Sequence, residues 1–78
     1  MSTEIASKLE TVFRNVFHSL APEEVLRISR VDSTVWDSVT HLALILSLEE
    51  EFGISLNNTD IIDITSFESA LAVVKTKL

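Results

Sequence analysis

One glycine and one proline in 78 residues constrain this chain more than any other feature. Tight hairpins rely on Gly, often as Asn-Gly or Asp-Gly, and a domain of many short strands needs several such turns. Gly53 and Pro22 cannot supply them. The hydrophobic share is 46%, enough for a packed core, so the apolar residues must be organised by helices. A chain of this length makes one domain, 1–78, and buries only about 60% of its unfolded surface, so the core is thin. Cysteine is absent, which excludes disulfides and cysteine-based metal or catalytic sites.

Hydrophobic periodicity places the helices. Ile5, Leu9, Val12, Phe13, Val16, Phe17 and Leu20 share one helical face. Ser2 is the expected cap, and the helix stops near Leu20 because Pro22 biases Ala21 away from helical angles. From Pro22 to Trp36 the chain reads as a long loop pinned by Val25, Leu26, Ile28 and Val31. Within it Pro22–Val25 could close one helical turn. Leu26-Arg27-Ile28 alternates as a strand would, with no second strand to pair with. Asp37 caps the best-defined helix, which runs to Phe52 and closes at Gly53. Asn57-Asn58 caps a short turn through Asp60–Asp63, and Thr65 with Glu68 forms a capping box. The last helix carries Phe67, Ala70, Leu71, Val74 and Leu78 on one face, with Lys75 and Lys77 at its negative end. The fold class is all-α: a small four-helix bundle of three main helices and one short one, with a long loop between the first and second.

Charge narrows the partners. The net charge is −6, and its distribution is uneven. Residues 1–30 balance Glu4, Glu10, Glu23 and Glu24 against Lys8, Arg14, Arg27 and Arg30. Residues 31–74 carry Asp32, Asp37, Glu49, Glu50, Glu51, Asp60, Asp63 and Glu68 with no Lys or Arg. Such a field repels nucleic acid and anionic lipid and steers basic surfaces inward. No charged segment followed by an apolar stretch opens the sequence, and no apolar run approaches membrane-spanning length. The expectation is a cytoplasmic monomer that binds no nucleic acid and inserts in no membrane.

The helix over residues 37–52 is apolar on two sides. One stripe holds Leu44, Ile45, Leu48 and Phe52, with His41 among them; the other holds Val39, Leu42, Ala43 and Leu46. The first faces a core made with the first and last helices. The second is either buried as well, as in the centre of a small bundle, or exposed as a docking strip rimmed by Glu49, Glu50 and Glu51. Those three acids sit at a helix C-terminus, where the macrodipole disfavours anions, which favours a role in docking.

Asp37-Ser38-Val39 opens that helix, and a phosphate ester on the Ser38 hydroxyl would lie where helix ends favour anions. By itself the pair is ordinary capping chemistry. Together with Leu42, Leu44, Leu48 and the run Glu49-Glu50-Glu51-Phe52-Gly53-Ile54, it resembles the acyl carrier protein family. There an Asp-Ser-Leu motif opens the second helix, which ends in an acidic run before Phe. Asp60, Ile61, Ile64-Thr65-Ser66-Phe67 and Ala70-Leu71 continue the resemblance over essentially the whole chain.

The resemblance implies a non-catalytic carrier. Ser38 would bear 4′-phosphopantetheine through a phosphodiester, installed from coenzyme A by a phosphopantetheinyl transferase. The arm's thiol would present acyl groups to loading and using enzymes of fatty acid, polyketide or related biosynthesis that have basic docking patches. Asp37, Val39, Leu42, Leu46, Glu49, Glu50, Glu51 and Trp36 are the partner-recognition candidates. His41, Leu44, Ile45 and Leu48 are candidates for a low-polarity refuge for an acyl chain. The sequence departs from the family pattern in Val39 for Leu, in the bulky approach Thr34-Val35-Trp36, and in Thr40 and Ala43 where acids are usual. These departures speak against a housekeeping fatty-acid role and open that of a specialised carrier, including a peptidyl or aminoacyl carrier of nonribosomal type.

Two rivals belong to other classes. A hydrolase would use Ser38 as nucleophile, His41 as base and Asp37 as orienter, but no Gly-rich oxyanion loop is present. Two isolated histidines and scattered acids match no metal-ligand spacing. An unmodified acidic helical adaptor would use the Val39–Leu46 strip alone.

Overall fold

The computed structural model describes residues 2–31 and 35–78, with the side chains of Ser2, Thr3 and Pro22 left out. Five helical segments follow one another: α1 (Ser2–Val16), α2 (Pro22–Val25), α3 (Ser38–Phe52), α4 (Asn58–Asp63) and α5 (Phe67–Lys77). Among the described residues there is no strand, and no helix is long and apolar enough to cross a membrane.

The first helix ends earlier than its apolar stripe. Regular α-geometry stops at Val16, but the Phe17 N–H still reaches the Phe13 carbonyl at 2.7 Å. The Leu20 N–H then closes on Phe17 at 3.0 Å, a tighter turn that keeps Phe17 buried. Ser2, the expected cap, is instead the first residue of α1. Leu9, Val12, Phe13 and Phe17 form the α1 side of the core and pack against α3 and α5.

The connection after α1 is more structured than a pinned loop. Pro22 opens the single turn of α2, and the Glu24 carboxylate accepts the Ala21 N–H at 2.9 Å. Val25 and Ile28 enter the core as expected, whereas Leu26 and Val31 are exposed. One helical turn explains the difference, since it can aim only one of two consecutive side chains inward. The alternating Leu26-Arg27-Ile28 is no strand: the Arg27 N–H closes a turn on the Glu24 carbonyl at 3.0 Å. The residues just after it pair instead, with Ser29 bridging Ser66 antiparallel and the Arg30 N–H donating to the Thr65 carbonyl at 2.8 Å.

The later elements follow their caps. Asp37 caps α3, and Gly53 closes it at φ 62°, the left-handed region that a side chain disfavours. Asn57 and Asp60 cap α4 reciprocally. The cap of α5 lies one residue beyond the expected Thr65: Ser66 accepts the Ser69 N–H, and the Ser69 hydroxyl accepts both the Thr65 and Ser66 N–H groups. Glu68 has no part in it, because Thr65 is held in the bridge to Arg30. Phe67, Ala70 and Val74 are buried and Leu71 is half-buried, while Leu78 is exposed beyond the helix end. Lys77 reaches back to Asp60 at 2.7 Å and ties α5 to α4; its ammonium, ahead of the Asn57 N–H, holds the Asp60 carboxyl below the ordinary range.

The core orientation of α3 is testable by two truncations two residues apart, on opposite faces of the helix. Leu48 is fully buried and Leu46 is exposed. Leu48→Ala should cost about 2–5 kcal/mol in urea unfolding, and Leu46→Ala about 0.5 kcal/mol or less.

Candidate functional site

Three consecutive residues ahead of and at the start of α3 have different destinations, and together they build the site. Trp36 is only 3% exposed. Its ring meets Phe13 edge-on at 5.8 Å and lies tilted against Phe17 at 5.1 Å. Phe13 also meets Phe67 edge-on at 5.2 Å. Trp36 is therefore an anchor in an aromatic cluster, where each such pair adds roughly 0.5–1.5 kcal/mol beyond simple burial. The expectation of Trp36 as a partner-recognition residue is corrected: the indole is inside, against the apolar stripe of α1.

Asp37 follows in extended backbone and turns its carboxylate onto the first turn of α3. Its Oδ1 accepts the Thr40 N–H at 2.8 Å. That N–H first, and the Thr40 hydroxyl second, hold the Asp37 carboxyl below the ordinary range. Ser38 is then the first residue of α3 and is exposed. Among the described residues nothing hydrogen-bonds its hydroxyl. The Ser38 and Val39 amides lie in the opening turn, ahead of any intrahelical carbonyl, where the helix carries its partial positive charge.

His41 completes the arrangement from beneath. The ring is 5% exposed. Its Nδ1 accepts the Trp36 Nε1–H at 2.9 Å, and its Nε2 donates to the Ile61 carbonyl at 2.8 Å. An indole N–H only donates and a carbonyl only accepts, so these partners select the neutral tautomer with its proton on Nε2. The Ile61 carbonyl belongs to the last turn of α4, which has no intrahelical donor for it. The ring thus satisfies one orphan group from each neighbour. In this arrangement neither ring nitrogen has a lone pair free to take the Ser38 proton, and the Asp37 carboxylate is engaged with Thr40 rather than with the His41 ring.

The other candidates separate by face. Leu44, Ile45 and Leu48 are buried beside His41. Val39, Leu42 and Leu46 are 78%, 59% and 57% exposed, and Ala43 between them is exposed too. The second stripe is therefore an apolar strip open to solvent, running from Ser38 down one side of α3. Glu50 and Glu51 lie exposed beyond it. Glu49 differs: its Oε2 accepts the Leu56 N–H at 2.9 Å, and its carbonyl accepts from Gly53 and Ile54. Its place at a helix C-terminus thus has a structural cause, the capping of the turn that follows. The Thr34 part of the bulky approach lies outside the described residues.

Neither a family model nor any curated protein sequence matches this chain. Among the described residues no three His, Asp or Glu side chains are grouped to hold a metal ion. The Trp36–His41 pairing and the Glu49 cap were missed in the sequence because each joins residues across a helix boundary. A histidine set among Leu44, Ile45 and Leu48 was the one available signal for the first.

Trp36→Phe keeps a ring in the cluster but strips the donor from His41. The buried acceptor left unpaired should lower stability by about 1–3 kcal/mol in urea unfolding. In the wild type, 15N spectra of the imidazole should show a proton on Nε2 and none on Nδ1.

Proposed function

We propose that this protein is a cytoplasmic, non-catalytic carrier that holds an acyl or related group on 4′-phosphopantetheine attached to Ser38. The observation that carries this reading is the Ser38 hydroxyl itself: exposed, without a hydrogen-bond partner among the described residues, at the first position of a 15-residue helix. The residues present fit such an attachment. The leading amides of α3 favour an anion beside Ser38, and the Asp37 carboxylate is occupied by Thr40. Bound there, the arm would supply a terminal thiol able to hold a carboxylic acid as a thioester.

The chain's own residues would do four things. Trp36, locked among Phe13, Phe17 and His41, fixes the backbone two residues before Ser38. Asp37 starts the helix, so that Ser38 points outward from a rigid end. The Ser38 oxygen bonds to phosphorus as coenzyme A loses its nucleotide half, and its proton passes to a base of the transferase. Val39, Leu42 and Leu46 offer an apolar surface, and Glu50 and Glu51 offer charge, to a partner with a basic rim. Glu49 is left out of that surface by its bond to Leu56.

On this reading α1, α3, α4 and α5 form the small four-helix bundle, α2 is a turn inside the long connection, and residues 1–78 are one acyl-carrier-like domain. The resemblance to acyl carrier proteins supports it, with fatty acid, polyketide and aminoacyl pathways all compatible. The commitment of both His41 nitrogens disfavours a Ser38–His41 hydrolase. The exposed strip alone would also suit an unmodified adaptor, and mass decides between the two. Co-expression with a broad-specificity phosphopantetheinyl transferase should add one arm to the wild type and none to Ser38→Ala, with little change in thermal midpoint. An unmodified wild type would leave the adaptor. Glu50→Lys with Glu51→Lys should weaken binding to the transferase more at low salt than at high salt, and equal weakening at both would exclude docking there.

A further inference from the structure

We propose that the Trp36–His41–Ile61 hydrogen-bond relay closes the core to whatever Ser38 carries, so that the cargo is a short or polar acyl group, aminoacyl groups included, that stays in water. This rests on the carrier reading of Ser38 and narrows its substrate class. Among the described residues, the apolar volume open to a chain leaving Ser38 inward is the core face of α3, formed by His41, Leu44, Ile45 and Leu48. His41 stands first on that face, three residues from Ser38, and the three aliphatic residues beyond it are already buried.

To pass, an alkyl chain must displace the imidazole. Displacement breaks the bonds at 2.9 Å to Trp36 and at 2.8 Å to Ile61 together. It strands an indole N–H inside the aromatic cluster and a carbonyl at the end of α4, neither of which an alkyl chain can satisfy. The ring also bridges α3 and α4 through its bond to the Ile61 carbonyl. The outward alternative is poor. Val39, Leu42 and Leu46 form a convex helix face that covers one side of a chain and leaves the rest in water. Among the described residues a long alkyl cargo is unrewarded on either side, whereas a short or polar one needs no refuge.

The test loads the full chain enzymatically with acetyl-, butyryl-, octanoyl- and dodecanoyl-4′-phosphopantetheine from the matching coenzyme A thioesters. Thermal midpoints are read together with the Leu44, Ile45 and Leu48 methyl resonances and the Trp36 Nε1–H resonance. The expected result is one midpoint and one set of resonances at every chain length. A midpoint that climbs with chain length, with shifted methyls and a displaced indole proton, overturns the proposal. His41→Ala removes the ring, and octanoyl should then raise the midpoint above acetyl; a folded variant indifferent to length would show that the relay is not the barrier. The unloaded wild type is titrated in parallel with decanoate below its micellar concentration. Unmoved methyls support closure, and saturable shifts at Leu44 and Leu48 refute it. Absence of any arm by mass would defeat the carrier reading, while the decanoate titration still decides whether the core is closed.

Discussion

The imidazole of His41, held between the Trp36 indole and the Ile61 carbonyl, is the interaction on which the rest of this small fold turns. It joins three parts of the chain that have little else in common: the end of the long connection, the start of α3 and the last turn of α4. A thin core cannot tolerate unpaired polar groups, and this ring removes two at once while adding its own bulk to the apolar face. The cost of losing it falls on both neighbours, because each partner has only one hydrogen-bonding role to play.

That bond also explains why the Ser38 end of α3 is so well positioned. Trp36 is pinned from one side by Phe13 and Phe17 and from the other by His41. The chain then has two residues in which to leave the core, cap the helix and present a hydroxyl. Asp37 performs the capping, and Ser38 is left outside with the positive end of a long helix behind it. On the other side of α3 the apolar strip and Glu50–Glu51 face solvent, so one helix divides its apolar residues between a core and an exposed surface.

Much of this was legible in the order of residues. Caps at Asp37 and Asn57 and the glycine closure at Gly53 are local devices whose partners lie within four residues, and they stand where expected. The buried stripe of α3 follows equally from its spacing. Other features depend on residues distant in sequence. The cap of α5 moved from Thr65 to Ser66 because Thr65 pairs with Arg30, and Glu49 acquired a partner in Leu56 beyond the helix end. Trp36 looked like a surface ornament beside the serine because nothing local says that α1 and α5 leave an aromatic gap beneath it.

The sequence by itself determined that the chain is helical, acidic over its later part, and opened at Ser38 by a capped helix, because those properties rest on composition and short-range spacing. Only the tertiary structure decided that the second stripe of α3 meets solvent, that Trp36 faces inward and bonds His41, and that Glu49 serves the fold. Periodicity shows that a helix has two apolar stripes without saying whether both are buried; that is decided by where α1 and α5 lie and by which buried polar groups find partners.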